Sequence, residues 1–206
     1  MPEAAPAERT RRDRASIVRV AVDVFNKHGY DATSMGMLAA ELGITKSAIY
    51  HHVDGKEHIL QLALDHALGG LEDVLRDEHA TSGSADARLE FVLRGAVGVL
   101  ADRLPFVTLL VRLRGNTEVE RHALQRRRTF DRAVASLVDE ARASGALRSD
   151  VDARTTSRLL FGMINSIVEW FRPDGPLSPA DLADDVVKVA FGGILRPGAY
   201  EAAPAR

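Results

Sequence analysis

The stretch from Thr33 to Lys56, TSMGMLAAELGITKSAIYHHVDGK, constrains this chain more than any other. Its first half predicts a helix from Ser34 to about Leu42, because Leu38, Ala39 and Leu42 recur at one-face helical spacing. Gly43 stops that helix, since glycine readily takes the left-handed conformation that ends a helix sharply. Ile44 follows as a buried hinge, and the Thr45 hydroxyl can cap a second helix from Lys46 to about His52. In that helix Ile49 turns to the core, while Lys46, Ser47, Tyr50 and His51 point outward. Two short helices, a glycine turn and a polar outer face on the second describe a helix-turn-helix. A generic αα-hairpin shares the apolar pattern, so periodicity alone leaves both readings open.

The residues themselves are more specific. The run from Arg14 to Leu60, with its FNKHGYDATSM, LGITKSAIYHH and DGKEHIL segments, strongly resembles the amino-terminal domain of TetR-family transcriptional regulators. The most specific phrase runs from Gly43 to His52 and is followed by Lys56-Glu57. The resemblance covers the first 60 residues or so at motif level, and the remainder by helical layout. It implies an amino-terminal three-helix DNA-binding domain followed by a helical ligand-binding and dimerisation domain.

Recognition helices present their first residues to base edges, which makes Thr45, Lys46, Ser47 and Ala48 the candidate readers. Lys46 can donate to guanine O6 or N7, and Ser47 can donate or accept, so neither alone specifies an operator. Tyr50 and His51 lie a turn further on and suit phosphates; a packing role for Tyr50 is the alternative. In the family, residues matching Thr33, Tyr50 and Lys56 commonly clamp phosphates, a task that hydroxyls and helix amino-termini suit physically. Ser34 and Arg11 complete the candidate DNA contacts. Two positions depart from the family's pattern. Gly36 sits inside the first helix of the motif, where it costs roughly 0.5–1 kcal/mol against alanine. Val53 stands where an aromatic is usual.

The charge balance argues mildly the other way. Net charge is −2, and residues 1–58 hold eight Lys/Arg against eight Asp/Glu, whereas many nucleic-acid binders are basic overall. The local distribution matters more: Arg9, Arg11, Arg12 and Arg14 face only Glu8 and Asp13. A basic arm and a reading helix can bind DNA on an acidic body.

Residues 1–9 are rich in Ala, Pro and Glu and predict a disordered arm; 10–55 then form the DNA-binding domain and 56–206 the body. The long first helix, Thr10 to Lys27, carries a stripe of Ile17, Ala21, Val24 and Phe25. Asp54, with Glu57 as its capping-box partner, opens a connector helix running to about His79. Further helices follow from Ala85 to Arg103, from near Pro105, and from about Thr117 to Ala143. Residues 152–171 are apolar on two sides, and the last helix, from Ser178 to about Leu195, carries Leu182, Val186, Val189 and Gly193 on one face. About nine helices and no strand alternation make the chain all-α.

Cysteine is absent, which removes disulfides, thiol nucleophiles and zinc–cysteine sites. His51, His52 and His58 lack suitably spaced acidic partners, so no metal is expected. No nucleophile elbow or phosphate loop appears, which argues against an enzyme, and no cofactor is implied. No run approaches a membrane span, and a secretion signal is missing from MPEAAPAERT, so the expected location is a reducing cytoplasm.

The body's pocket is harder to read. Apolar candidates are Phe91, Val97, Leu100, Phe106, Leu110, Phe130 and Trp170, with Arg114, Asn165 and Glu169 as polar groups. Plain core is the alternative for most of them. The segment Glu169-Trp-Phe-Arg-Pro-Asp-Gly-Pro-Leu-Ser-Pro is similar to actinobacterial-type TetR regulators of lipid, steroid and aromatic-acid breakdown. That similarity implies an acyl-CoA thioester as a candidate effector, with Arg121, Arg126, Arg127 and Arg128 available for its phosphates; a solvated basic face is the plainer alternative. The dimer interface is expected on the last two helices, at Leu160, Ile164, Ile167, Val186, Val189 and Gly193. The resulting expectation is a homodimeric repressor of a palindromic operator, released by a small molecule. A transcriptional activator, a helical adaptor and a small all-α enzyme are the alternatives.

Overall fold

The computed structural model describes residues 13–193. Among these residues there are ten α-helices, a closing π-helical turn and no strand, arranged as two compact units that meet between Ala63 and Leu64.

The first unit holds α1 (Arg14–His28), α2 (Met35–Leu42), α3 (Lys46–Tyr50) and the opening turns of α4 (Lys56–Arg76). Asp13 caps α1 by accepting the Ser16 N–H at 2.8 Å. The stripe Ile17, Ala21, Val24 and Phe25 is buried, together with Val18 and Val22, against Leu38, Ala39, Leu42 and Ile49. Each side chain of that size removed from water contributes roughly 1.5–3 kcal/mol. Gly43 has φ +66°, and the Ile44 N–H reaches back to the Ala39 carbonyl at 3.1 Å, the closure that lets the chain reverse between α2 and α3. Val53 is 2 % exposed and fills its core position with an aliphatic side chain.

Three expected boundaries move. The cap of α4 is Gly55, whose carbonyl receives the Ile59 N–H, while the Asp54 N–H is accepted by His58 Nδ1 at 3.1 Å. The connector also stops earlier, at Arg76. Asp77 turns extended (φ −62°, ψ 147°) and its carboxylate takes the His79 N–H, starting a separate α5 (Glu78–Thr81). Aspartate competes with the helix for backbone donors, and here it wins. The last α-helix ends at Val187 and continues as a π-helical turn, Lys188–Gly192. The arm at 1–9 and the helix start at Thr10 lie outside the described residues.

The second unit is a helical bundle of α6 (Ala85–Asp102), α7 (Leu104–Val111), α8 (Glu118–Ala143), α9 (Ala153–Trp170) and α10 (Pro179–Val187), with the later turns of α4. α6 packs on α8 and α10, α8 on α9, and α7 on α9. Where α4 crosses α6, a Cβ on Gly95 would stand 2.6 Å from Val74 Cγ1, and one on Gly70 would stand 2.9 Å from Val99 Cγ1. Only glycine permits that approach. Thr117 and Glu120 form a reciprocal capping box at the start of α8. Arg126 ties α8 to α4: it donates to Glu72 at 2.8 and 3.0 Å and to Asp65.

Candidate functional site

The outer face of α3 is built by three local devices. Thr45 accepts the Ala48 N–H at 3.2 Å and fixes where the helix begins. Ser34 does the same for α2 through the Met37 N–H at 3.2 Å. Arg14 Nε donates to the His52 carbonyl at 3.0 Å, pinning the end of α3 to α1. With Ile49 fully buried below, Thr45, Lys46, Ser47, Tyr50 and His51 are left exposed and Ala48 half-buried. The helical spacing of 46 with 50 and of 47 with 51 puts these side chains on one face. A Cβ at residue 36 would meet Lys46 Cε at 3.0 Å and Ser34 Oγ at 3.5 Å, so Lys46 and Ser34 converge beside Gly36.

Two candidate phosphate clamps turn inward instead. Thr33 is 2 % exposed and donates its hydroxyl to the Gly29 carbonyl at 2.7 Å. The Lys56 ammonium donates to the carbonyls of Tyr30 (2.8 Å), Thr33 (2.9 Å) and Asp31 (3.4 Å), and lies 4.3 Å from the centre of the Tyr30 ring. All three of its N–H bonds are thus committed to the loop after α1. This loop needs a cation because three carbonyls converge there, a feature that sequence periodicity does not reveal. Arg11 lies outside the described residues.

In the body, four of the ten pocket candidates line one small cavity: Leu100, Leu110, Phe130 and Asn165. Its free space is about 30 Å³, room for about one water. The other six lie elsewhere. Val97 is plain core, Phe91 stacks on His79 at 5.3 Å, and Phe106 packs edge-on against His66 at 4.6 Å. Arg114 is exposed, Glu169 is paired with Arg112 at 3.1 Å, and Trp170 is 52 % exposed.

The expected phosphate arginines also separate. Arg126 is consumed by Glu72 and Asp65, whose pairing holds the Glu72 carboxyl below its ordinary range, and Arg121 donates to the carbonyls of Gly115 and Asn116. Arg127 lines the small cavity, and only Arg128 faces an open cleft.

Of the expected interface residues, Ile164, Ile167 and Val186 are already buried within one chain, because they face α6 and α8 rather than outward. Leu160 is half-buried, while Val189 and Gly193 are exposed. The exposed apolar side chains of α9 are Leu159 (70 %) and Trp170 (52 %), with Met163 half-buried between them and Phe191 exposed after α10. The spacing that separates these residues from the buried ones is a quarter-turn, too fine for a helix apolar on both sides to reveal.

Residues 82–194 match the domain described as tetracyclin repressor-like, C-terminal, and residues 17–63 match the bacterial regulatory proteins of the tetR family. The chain belongs to the TetR family. It is therefore one of the family's DNA-binding transcriptional regulators, and the helix-turn-helix reading of α2 and α3 stands. A TetR-family member from Streptomyces coelicolor A3, SCO3833, is 48 % identical, and the two structures superpose with a TM-score of 0.84 over 94 % of each chain. The HTH-type transcriptional repressor KstR2 of Rhodococcus jostii RHA1 is 23 % identical over 194 residues, covering 89 % of this chain and 92 % of the relative. AibR, solved in complex with isovaleryl coenzyme A and operator DNA, shares the TetR fold (TM-score 0.73, 24 % identity, 86 % of this chain and 97 % of that one). Among the described residues, no helix is long and apolar enough to cross a membrane.

Proposed function

We propose that this TetR-family regulator is a homodimeric repressor whose two copies of α3 read a two-fold related operator and whose body responds to a small-molecule effector. The observation that carries the reading is the outer face of α3, where Thr45, Lys46, Ser47, Tyr50 and His51 stand exposed on a helix seated by the buried Ile49. Two-fold symmetry places such helices in successive major grooves about one turn apart, so the operator is palindromic. The exposed Leu159 and Trp170, with Met163 half-buried between them, support a second copy of this chain as their cover, since apolar faces of this kind are uncommon on monomers. An acyl-CoA thioester is the proposed effector, supported by the coenzyme A complex of AibR. Effector binding shifts the connector α4, and the size of the response depends only on the effector's differential affinity for the two states.

Fluorescence anisotropy on DNA from upstream of the gene, titrated across a salt series, tests the reading. Tight binding with a steep negative salt slope is expected, followed by release on adding one of a panel of acyl-CoA thioesters. Binding that no thioester disturbs removes the acyl-CoA assignment and leaves the repressor. Binding without salt dependence removes the repressor.

A further inference from the structure

Between α8 and the first turns of α9 lies an open cleft of about 500 Å³, separate from the small inner cavity but meeting it at Asp131, which lines both. Arg128 and Arg132 reach it from α8, and Arg154 and Arg158 from α9. None of these four guanidiniums has a carboxylate within ion-pair distance among the described residues. By contrast Arg76, Arg88, Arg94, Arg112, Arg126, Arg142 and Arg148 are all paired. A chain of net charge −2 has acids to spare, yet among the described residues only Asp131 lines this concavity, with Asp152 acting on Arg154 through its field from outside it. Asp131 is the one acid lining the cleft, and its burial raises its carboxyl's pKa; Arg127 and Arg158 oppose that shift without reversing it. Four cations therefore converge on at most one anion. Concave walls focus such a field, and guanidinium forks match phosphate oxygens two by two. Arg132 is already oriented, with Nε donating to the Arg128 carbonyl at 3.2 Å and a second nitrogen donating to Thr129 Oγ1 at 3.0 Å.

We propose that this cleft binds a pyrophosphate-type anion, and that it is the headgroup half of the effector site. Arg128, Arg132, Arg154 and Arg158 hold the phosphates. The assignment rests on the effector-responsive reading above. It also explains a division of labour: one wall of α9 gives arginines to the cleft, another gives Ile164 to the core, and a third exposes Leu159.

The test is calorimetric titration of the full-length protein with free coenzyme A and, separately, with inorganic pyrophosphate. The variants are the double substitution Arg154→Gln/Arg158→Gln and, as a control, Arg148→Gln, whose native side chain pairs with Asp150 outside the cleft. Both probes are expected to bind the native protein and to compete with each other. Loss of two charge-assisted contacts should weaken coenzyme A by roughly ten- to a hundredfold, with the control unchanged. Thermal melts and operator affinity without ligand should be unchanged in every variant. Unchanged coenzyme A affinity in the double variant overturns the cleft assignment, as does binding of neither probe at millimolar concentration. Coenzyme A binding without competition by pyrophosphate overturns the phosphate chemistry. A drop in ligand-free operator affinity in the double variant makes the cleft a DNA contact and overturns it too. The two readings fail separately. Arginine-dependent coenzyme A binding with no thioester effect on DNA leaves the cleft standing without the effector. Thioester release that is equal in native and double variant does the reverse.

Discussion

Lys46 lies across the bare Cα of Gly36, so that a methyl group there would stand 3.0 Å from its Cε and 3.3 Å from its Nζ. The glycine that weakens α2 is thus the space in which the Lys46 side chain rests. Gly36→Ala forces the lysine side chain aside by a few tenths of an ångström while relieving the glycine's entropic cost of at most about 1 kcal/mol. Stability in a urea melt should hold or rise, and operator affinity should fall several-fold. If affinity and stability move together, the glycine has no role in placing Lys46.

Lys56 and Lys46 should behave as opposites. Lys56→Met strands three carbonyl groups in a half-buried loop, an expected cost of about 1–3 kcal/mol in unfolding free energy. The slope of log affinity against log salt should not change, because the ammonium is already occupied. Lys46→Ala should leave the melt unaltered and reduce that slope by about one. A shallower slope in the Lys56 variant would return that residue to the phosphate contacts.

The contrast between these lysines marks what the chain's letters could convey. Helix starts were legible at Thr45, Thr117 and Ser178, where a hydroxyl faces a free amide, because that is local chemistry. The core of the first unit followed from the spacing of Ile17, Ala21, Val24 and Phe25. Long-range polar contacts were not legible. Nothing in the order of residues says that Lys56 meets the carbonyls of a loop 26 positions earlier, or that Arg126 pairs with Glu72 while Arg128 has no carboxylate within ion-pair distance among the described residues. Helix α9 is hard to read for a related reason: with apolar residues on two sides, the pattern cannot say which side the chain itself covers.

The Arg126–Glu72 pair gives stability that depends on pH. Its hydrogen bonds hold the Glu72 pKa below the ordinary 4.5, so the folded state binds fewer protons than the unfolded one in that window. The pair's contribution is therefore complete above 4.5 and lost as pH falls through the lower folded value. Arg126→Ala should cost about 1–2 kcal/mol at pH 7, with both groups partly shielded from solvent, and the cost should shrink in melts taken well below pH 4. A penalty that stays constant into acid would assign it to lost packing of the arginine stem.

Leu159→Arg and Trp170→Arg place charge on the open stripe of α9. Since these side chains are 70 % and 52 % exposed in one chain, neither change should disturb its folding. Light scattering coupled to size exclusion should report a monomer, and operator affinity should collapse with it. A variant that stays dimeric and keeps its affinity would move the interface elsewhere.

The crossing of α4 and α6 at Gly70 and Gly95 bears on signalling more than on stability. Helices separated by long side chains absorb a small displacement by switching rotamers, as a loose gear absorbs motion before it turns. Here Val74 already rests where a Cβ would be, and no side chain of residue 95 exists to yield. On the proposed effector response, a movement of α6 should pass to α4 with little lost motion, so that an adjustment around the inner cavity, whose wall includes Ala96 and Leu100 of α6 and Leu71 of α4, should reach both helices together.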